Sequence, residues 1–336
     1  MKHNSSLKMV RPLFWLAIAA LAAPLWAQAP RAAGPYGEWL VKADFNGRQM
    51  ESILAFARNE QGGLTGQSIS LWGLSDLEDV RFEDGQLTFT QVFRPPNGEA
   101  MTSKFKGTIA NRQLSGTMSS DRGEYQLTGE RRPRMSRAAG DWDMTVKMGD
   151  REYKGKLIIR SGPENTLTGE WQSERGEHKI TDVELDRATL RFKRTSKIED
   201  REWATTFEGT LQRDTLTGAF KSDRGDATAE GTRRGAAVIG DWTLDLTTDR
   251  GTRKQRLRVN PDLSGLYGAA PIEKIRVDND AVAFDLVRQF GDRSFEMKFA
   301  GKLVDSKLEG ELTSDRGATK VTGTRVVRPA RNRDSR

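Results

Sequence analysis

The sequence predicts an all-β protein of three tandem, small, eight-stranded up-and-down β-barrels. Three observations lead there. One set of landmarks recurs three times, apolar residues within each copy alternate with a period of two, and turn signals cut each copy into about eight short segments. A pair of packed sheets, the β-sandwich, is the alternative architecture for the same pattern.

The first element is a leader. Lys2, Lys8 and Arg11 precede an apolar stretch from Pro12 to Leu25, and Ala27-Gln28-Ala29 offers the small residues a signal peptidase needs. Residues 1–27 read as a signal peptide, which places the mature protein in the periplasm or outside the cell. The apolar stretch is short for a membrane span, so none is expected after cleavage. The chain has no cysteine, which excludes a lipid-anchoring cysteine and any disulfide staple.

The copies come next, at 36–133, 140–234 and 239–327. Gly37-Glu38-Trp39, Gly140-Asp141-Trp142 and Gly240-Asp241-Trp242 open them. Phe105-Lys106-Gly107, Phe207-Glu208-Gly209 and Phe299-Ala300-Gly301 follow in the same order, then Leu114-Ser115-Gly116, Leu216-Thr217-Gly218 and Leu308-Glu309-Gly310. Gly129-Glu130-Arg131, Gly231-Thr232-Arg233 and Gly323-Thr324-Arg325 close them. After each opening tryptophan, apolar residues such as Met144, Val146 and Met148 alternate with polar ones. That is the pattern of a strand with one face buried. In the second copy the strands fall near 140–148, 152–161, 166–175, 177–186, 188–197, 201–212, 214–223 and 226–234. Short connections such as Gly149-Asp150 make consecutive hairpins, and eight strands can close on themselves and remove their edges. Gly107, Gly209 and Gly301 either let the wall bend or make room for the tryptophan opposite. Arg137-Ala138-Ala139 and Gly235-Ala236-Ala237 read as linkers, and 328–336 as a basic tail.

The net charge of +7 is misleading about partners. Lys2, Lys8 and Arg11 supply three charges, and four arginines against Asp334 add a net three in the tail, leaving about +1 for the copies. A nucleic-acid protein would carry a basic face, so that class is rejected.

A Gly-x-Trp opening an eight-stranded meander, with an arginine just after the last strand, resembles the lipocalin or calycin barrel. The copies are also similar to the small β-barrel modules that accompany exported bacterial hydrolases. The resemblance implies that Trp39 with Arg131, Trp142 with Arg233, and Trp242 with Arg325 close the barrel ends by stacking.

Chemistry is scarce. The copies contain one histidine, His178, and no Gly-x-Ser-x-Gly elbow, so no catalytic residue is assigned. Without cysteine, only carboxylates could cage a metal; the acidic clusters read as turns, and neither metal nor cofactor is expected. The most distinctive element is Ser-Asp/Glu-Arg-Gly, at Ser120–Gly123, Ser173–Gly176, Ser222–Gly225 and Ser314–Gly317. Turn chemistry explains it. Counting turns also places Arg151, Arg175, Arg201 and Arg224 at one end of the second barrel, with Arg122 and Arg316 at the same end of the first and third. Such a collar, mixed with acids, suits a glycan, a small molecule or an envelope protein. The expected function is therefore an exported, non-catalytic binding or interaction protein. A hydrolase using carboxylates at a barrel mouth and a structural envelope spacer are the alternatives.

Overall fold

The computed structural model describes residues 34–45, 48–94, 99–174, 176–199, 201–223, 225–249, 251–290 and 293–326. The leader and the basic tail lie outside the described residues. Among the described residues the regular structure is β, apart from one short 3-10 turn at Pro163–Asn165. No described helix is long and apolar enough to cross a membrane.

Alternation builds each wall. The first copy runs through β1 (Gly37–Phe45), β2 (Arg48–Arg58), β3 (Leu64–Ser70), β4 (Gly73–Glu83), β5 (Gln86–Phe93), β6 (Met101–Ala110), β7 (Gln113–Ser120) and β8 (Gly123–Arg131). Each strand pairs antiparallel with the next, and β1 pairs with β8, so the sheet is a closed barrel. This excludes the sandwich for this copy.

The second copy contains β9 (Gly140–Met148), β10 (Arg151–Ser161), β11 (Leu167–Gln172), β12 (Glu177–Asp186), β13 (Thr189–Ile198), β14 (Arg201–Gln212), β15 (Thr215–Lys221) and β16 (Ala227–Arg233). These match the expected spans to within a few residues. Strands β11 and β12 run side by side without a ladder, leaving this barrel nearly closed.

The third copy departs from expectation by having nine strands. They are β17 (Gly240–Thr248), β18 (Gly251–Val259), β19 (Gly265–Tyr267), β20 (Ala270–Ile272), β21 (Ile275–Asp278), β22 (Ala281–Phe290), β23 (Arg293–Val304), β24 (Lys307–Ser314) and β25 (Gly317–Arg325). The fourth strand of the pattern is split in two. Pro271 lacks an N–H for a second ladder, and β20 pairs only with β19.

Each barrel holds its own apolar core around one stacked phenylalanine pair. Phe89–Phe105, Phe192–Phe207 and Phe284–Phe299 sit with ring centroids 4.8, 4.7 and 5.1 Å apart. The strand-six glycines serve those rings rather than the tryptophans. Gly209 faces Gly218 across the β14–β15 ladder, and a Cβ on Gly209 would lie 2.5 Å from Phe207 Cζ and 3.0 Å from Thr217 O. We expect Gly209→Ala to destabilise the second barrel by about 1–3 kcal/mol, the usual cost of overpacking. Hydrogen exchange on β14 and β15 in the full chain reads this out, and unchanged protection would refute it.

Candidate functional site

The two ends of each barrel differ in chemistry. At one end lie the tryptophans, each directly opposite its arginine in register: Trp39 with Arg131, Trp142 with Arg233, Trp242 with Arg325. The guanidinium carbons sit 5.9, 4.1 and 4.5 Å from the ring centroids. Each indole N–H donates to a carbonyl four residues upstream: Pro35 O at 2.7 Å, Ala138 O at 3.1 Å and Val238 O at 2.8 Å. Each guanidinium also donates to that same entering segment. Arg131 reaches Tyr36 O, Arg233 reaches Arg137 O and Ala139 O, and Arg325 reaches Ala237 O and Ile239 O. Ala138 and Ala139 are fully buried. The segments expected to be linkers are thus hydrogen-bonded into the barrel ends. A fragment of 134–234 should consequently be more stable than one of 140–234, which lacks the acceptor of Trp142 and two of the carbonyls that Arg233 holds. Equal urea midpoints for the two fragments would contradict this.

The opposite end carries the Ser-Asp-Arg-Gly turns. Ser120 Oγ accepts from the Arg122 N–H at 3.2 Å and donates to Gly123 O at 3.3 Å. Gly123, Gly225 and Gly317 have φ of +116°, +115° and +103°, a region side chains avoid, so glycine ends the turn. Of the arginines expected at this end, Arg122, Arg151, Arg201 and Arg316 are exposed there, while Arg175 and Arg224 lie outside the described residues.

What distinguishes the copies is the interior just below this end. In register, Trp39 faces Leu54 and Leu54 faces Ser68. The same path in the second copy runs from Trp142 to Leu157 to Trp171. In the third it runs from Trp242 to Leu257 to Tyr267. One inward position is therefore serine, tryptophan and tyrosine in turn. On the far wall, the pair Gln91 and Ser103 stands where the second barrel has Arg194 and Thr205 and the third has Leu286 and Met297. Large side chains fill the second and third barrels; the first is left hollow.

The hollow is a cavity of about 920 Å³ opening at the turn end. Leu54, Met118 and Leu127 give it an apolar floor, and Met50, Phe93, Met101 and Tyr125 give it apolar walls. Ser52, Ser68, Ser70, Gln91 and Ser103 add a band of hydroxyls and one amide. Charged groups stay at the rim, where Arg122 and Asp121 belong to the β7–β8 turn and Arg288 and Glu51 pair at 3.1 Å. The chemistry of this lining would suit an uncharged amphipathic molecule, with apolar bulk inside and a few polar groups for the serine band.

Part of that rim comes from the third barrel, through Ala269, Ala270, Val287 and Arg288. The two barrels are clamped together. The β3–β4 hairpin of the first packs Leu71 against the core of the third, where Gln255 Nε2 donates to Ser70 O and Leu71 O at 3.1 and 2.9 Å. Ile53 and Ile69 pack with Leu266 and Ala269 beside it. Glu38 and Asp241 hold the same place in their copies, and Arg256 and Arg258 bridge them. Arg258 donates to Glu38 at 2.6 Å and to Asp241 at 2.7 Å, and Arg256 reaches both acids too. Burial alone would raise the Glu38 carboxyl, but Arg256 and Arg258 outweigh it and hold it below the usual range. Burial likewise works against the Arg258 charge, and Asp241 and Glu38 reverse this and raise it.

His178 lies in the second barrel with both ring nitrogens engaged by serines, Nε2 with Ser173 Oγ at 2.8 Å and Nδ1 with Ser196 Oγ at 2.9 Å. These two contacts are hydroxyls. Among the described residues, no group of three or more His, Asp or Glu is placed to hold a metal ion.

The serines that line the cavity are not among the residues the sequence singled out. Their signal is in the repeat itself: Leu64-Thr65-Gly66-Gln67-Ser68 aligns with Leu167-Thr168-Gly169-Glu170-Trp171 and with Leu263-Ser264-Gly265-Leu266-Tyr267.

No family model matches the chain, and no curated protein is significantly similar to it. Among solved structures, it is similar to a Bacteroides fragilis NCTC 9343 protein proposed to be of the outer membrane. The match has 16% identity, covers 60% of this chain and 98% of that one, and has a TM-score of 0.26. A protein of unknown function of the DUF3598 family from Nostoc punctiforme PCC 73102 matches at 12% identity, over 87% and 96% of the two chains, with a TM-score of 0.21. A double mutant of the vaccine antigen transferrin-binding protein B from Haemophilus parasuis Hp5 matches at 11%, over 87% and 76%, with a TM-score of 0.18. With scores this low, none of them bears on what this chain binds.

Proposed function

We propose that this is an exported, lipocalin-like binding protein whose first barrel carries an uncharged amphipathic small molecule. The observation that carries the reading is the 920 Å³ cavity, present where serine replaces the tryptophan and tyrosine of the other copies. The third barrel then acts as support, completing the rim of the first. Export rests on the leader at 1–27, and the lipocalin likeness on the Gly-x-Trp opening and the closing arginines. The arginines of the turn end, Arg122 foremost because it borders the cavity, belong to the entrance.

Gentle mass spectrometry of the intact protein, purified from the periplasm or medium of its own host, tests this. A neutral adduct of a few hundred daltons, lost on denaturation, is the expected result. Protein that stays bare and also takes up none of a panel of neutral amphiphiles would overturn the proposal.

A further inference from the structure

We propose that the mouth of the second barrel is a separate site for a small monocarboxylate, held by Arg194. This arginine lies two residues beyond Phe192 on β13 and so on the same inward face. Its guanidinium carbon sits 4.6 Å from the centroid of Trp171 and 4.1 Å from that of Phe220, both core residues of this barrel. The barrel-closing arginines have acceptors: Arg131, Arg233 and Arg325 hold backbone carbonyls. Arg194 has none among the described residues. Its Nε is buried with no hydrogen-bond partner among the described residues, and burial pushes the group down to about 10 with no acid opposing the shift.

A cation held among aromatic rings without a counter-charge is costly, and an anion arriving from solvent removes that cost. With Nε enclosed, the end-on edge of the fork is the one a ligand can meet, and its two N–H groups match the two oxygens of a carboxylate. Toward the mouth, Ser196 follows on the same face, paired across the ladder with His178, which also bonds Ser173. These groups supply polar contacts beside the bound oxygens. A single guanidinium balances a single charge, so a monocarboxylate suits Arg194 better than a dianion, and the exposed Arg151 and Arg201 beside Glu174, Glu177, Glu199 and Glu202 leave the mouth mixed in sign. The charge is peculiar to this copy, since the first has Gln91 and the third Leu286 at the same place. It is therefore not part of the common barrel plan.

Calorimetric titration of the full chain with butyrate and with inorganic phosphate, at constant ionic strength, tests the site. Butyrate should bind at one equivalent per chain and more tightly than phosphate, and it should slow hydrogen exchange in β12 and β13. Arg194→Met, which fills the space without charge, should weaken butyrate at least tenfold, and Arg194→Lys should retain part of the binding. Unchanged hydrogen-exchange protection of β9 and β16 in both variants would show that the second barrel folds. No saturable heat with butyrate, tighter binding of phosphate, protection outside the second barrel, or full binding by folded Arg194→Met would each overturn the proposal. If Arg194→Met fails to fold, Arg194→Lys and the exchange pattern of the unmodified chain still decide it.

Discussion

Trp142→Ala is expected to cost the second barrel about 3–5 kcal/mol, a large share of the stability of so small a unit. The side chain is fully buried, fills the closed end, and donates to Ala138 O. Its loss removes both the apolar fill and the surface on which Arg233 lies. Arg233→Ala should cost less, although it frees several carbonyls and one partner, Asp214 Oδ1 at 3.0 Å. The double variant should fall short of the sum, because the two residues share one contact. Hydrogen exchange resolved by barrel measures all three in the full-length protein. Strict additivity, or a Trp142 that is quenched freely by iodide, would contradict the closing role.

The second large effect is at the clamp. Glu38→Leu leaves Arg256 and Arg258 buried against Asp241 alone, and breaking buried ion pairs of this kind costs about 3–5 kcal/mol. The first barrel should remain folded while its contact with the third loosens. The expected readout is faster exchange around Ile53, Ile69 and Leu266. Acid should do the same to the unmodified protein. Glu38 has a folded pKa below its reference value of 4.5, so its contribution is complete above that value and is lost as pH falls through the lower, folded one. A clamp that loosens as pH rises from 5 to 8, or that ignores Glu38→Leu, would refute this account.

The barrels were legible in the sequence because their causes are local. Two-residue alternation, turn glycines and the phenylalanine-glycine pairs each act within a few residues or along one ladder, so strand ends in the second copy were placed closely. The docking of the first barrel on the third was not legible. Glu38, Asp241, Arg256 and Arg258 all sit at outward positions, where charge ordinarily means solvent, and only the packing of distant segments buries them. The cavity falls between these cases. Ser68 reads as an unremarkable polar residue by itself, and it becomes informative only against Trp171 and Tyr267 in register. The collar of arginines was placed by counting turns, which gives the end of the barrel but not which barrel is open beneath it.

Whether the first barrel is hollow because of Ser68 is tested most directly by titrating a neutral fluorescent amphiphile, N-phenyl-1-naphthylamine, into the full chain and into Ser68→Trp. Trp72 lines the cavity and gives an independent signal of entry. The unmodified chain should bind one equivalent saturably. Ser68→Trp, which supplies the side chain that fills the second barrel, should bind at least tenfold more weakly, a loss of about 1.4 kcal/mol or more, with the fold intact. Equal binding by the two proteins, or no saturable binding by the unmodified chain, would contradict the account.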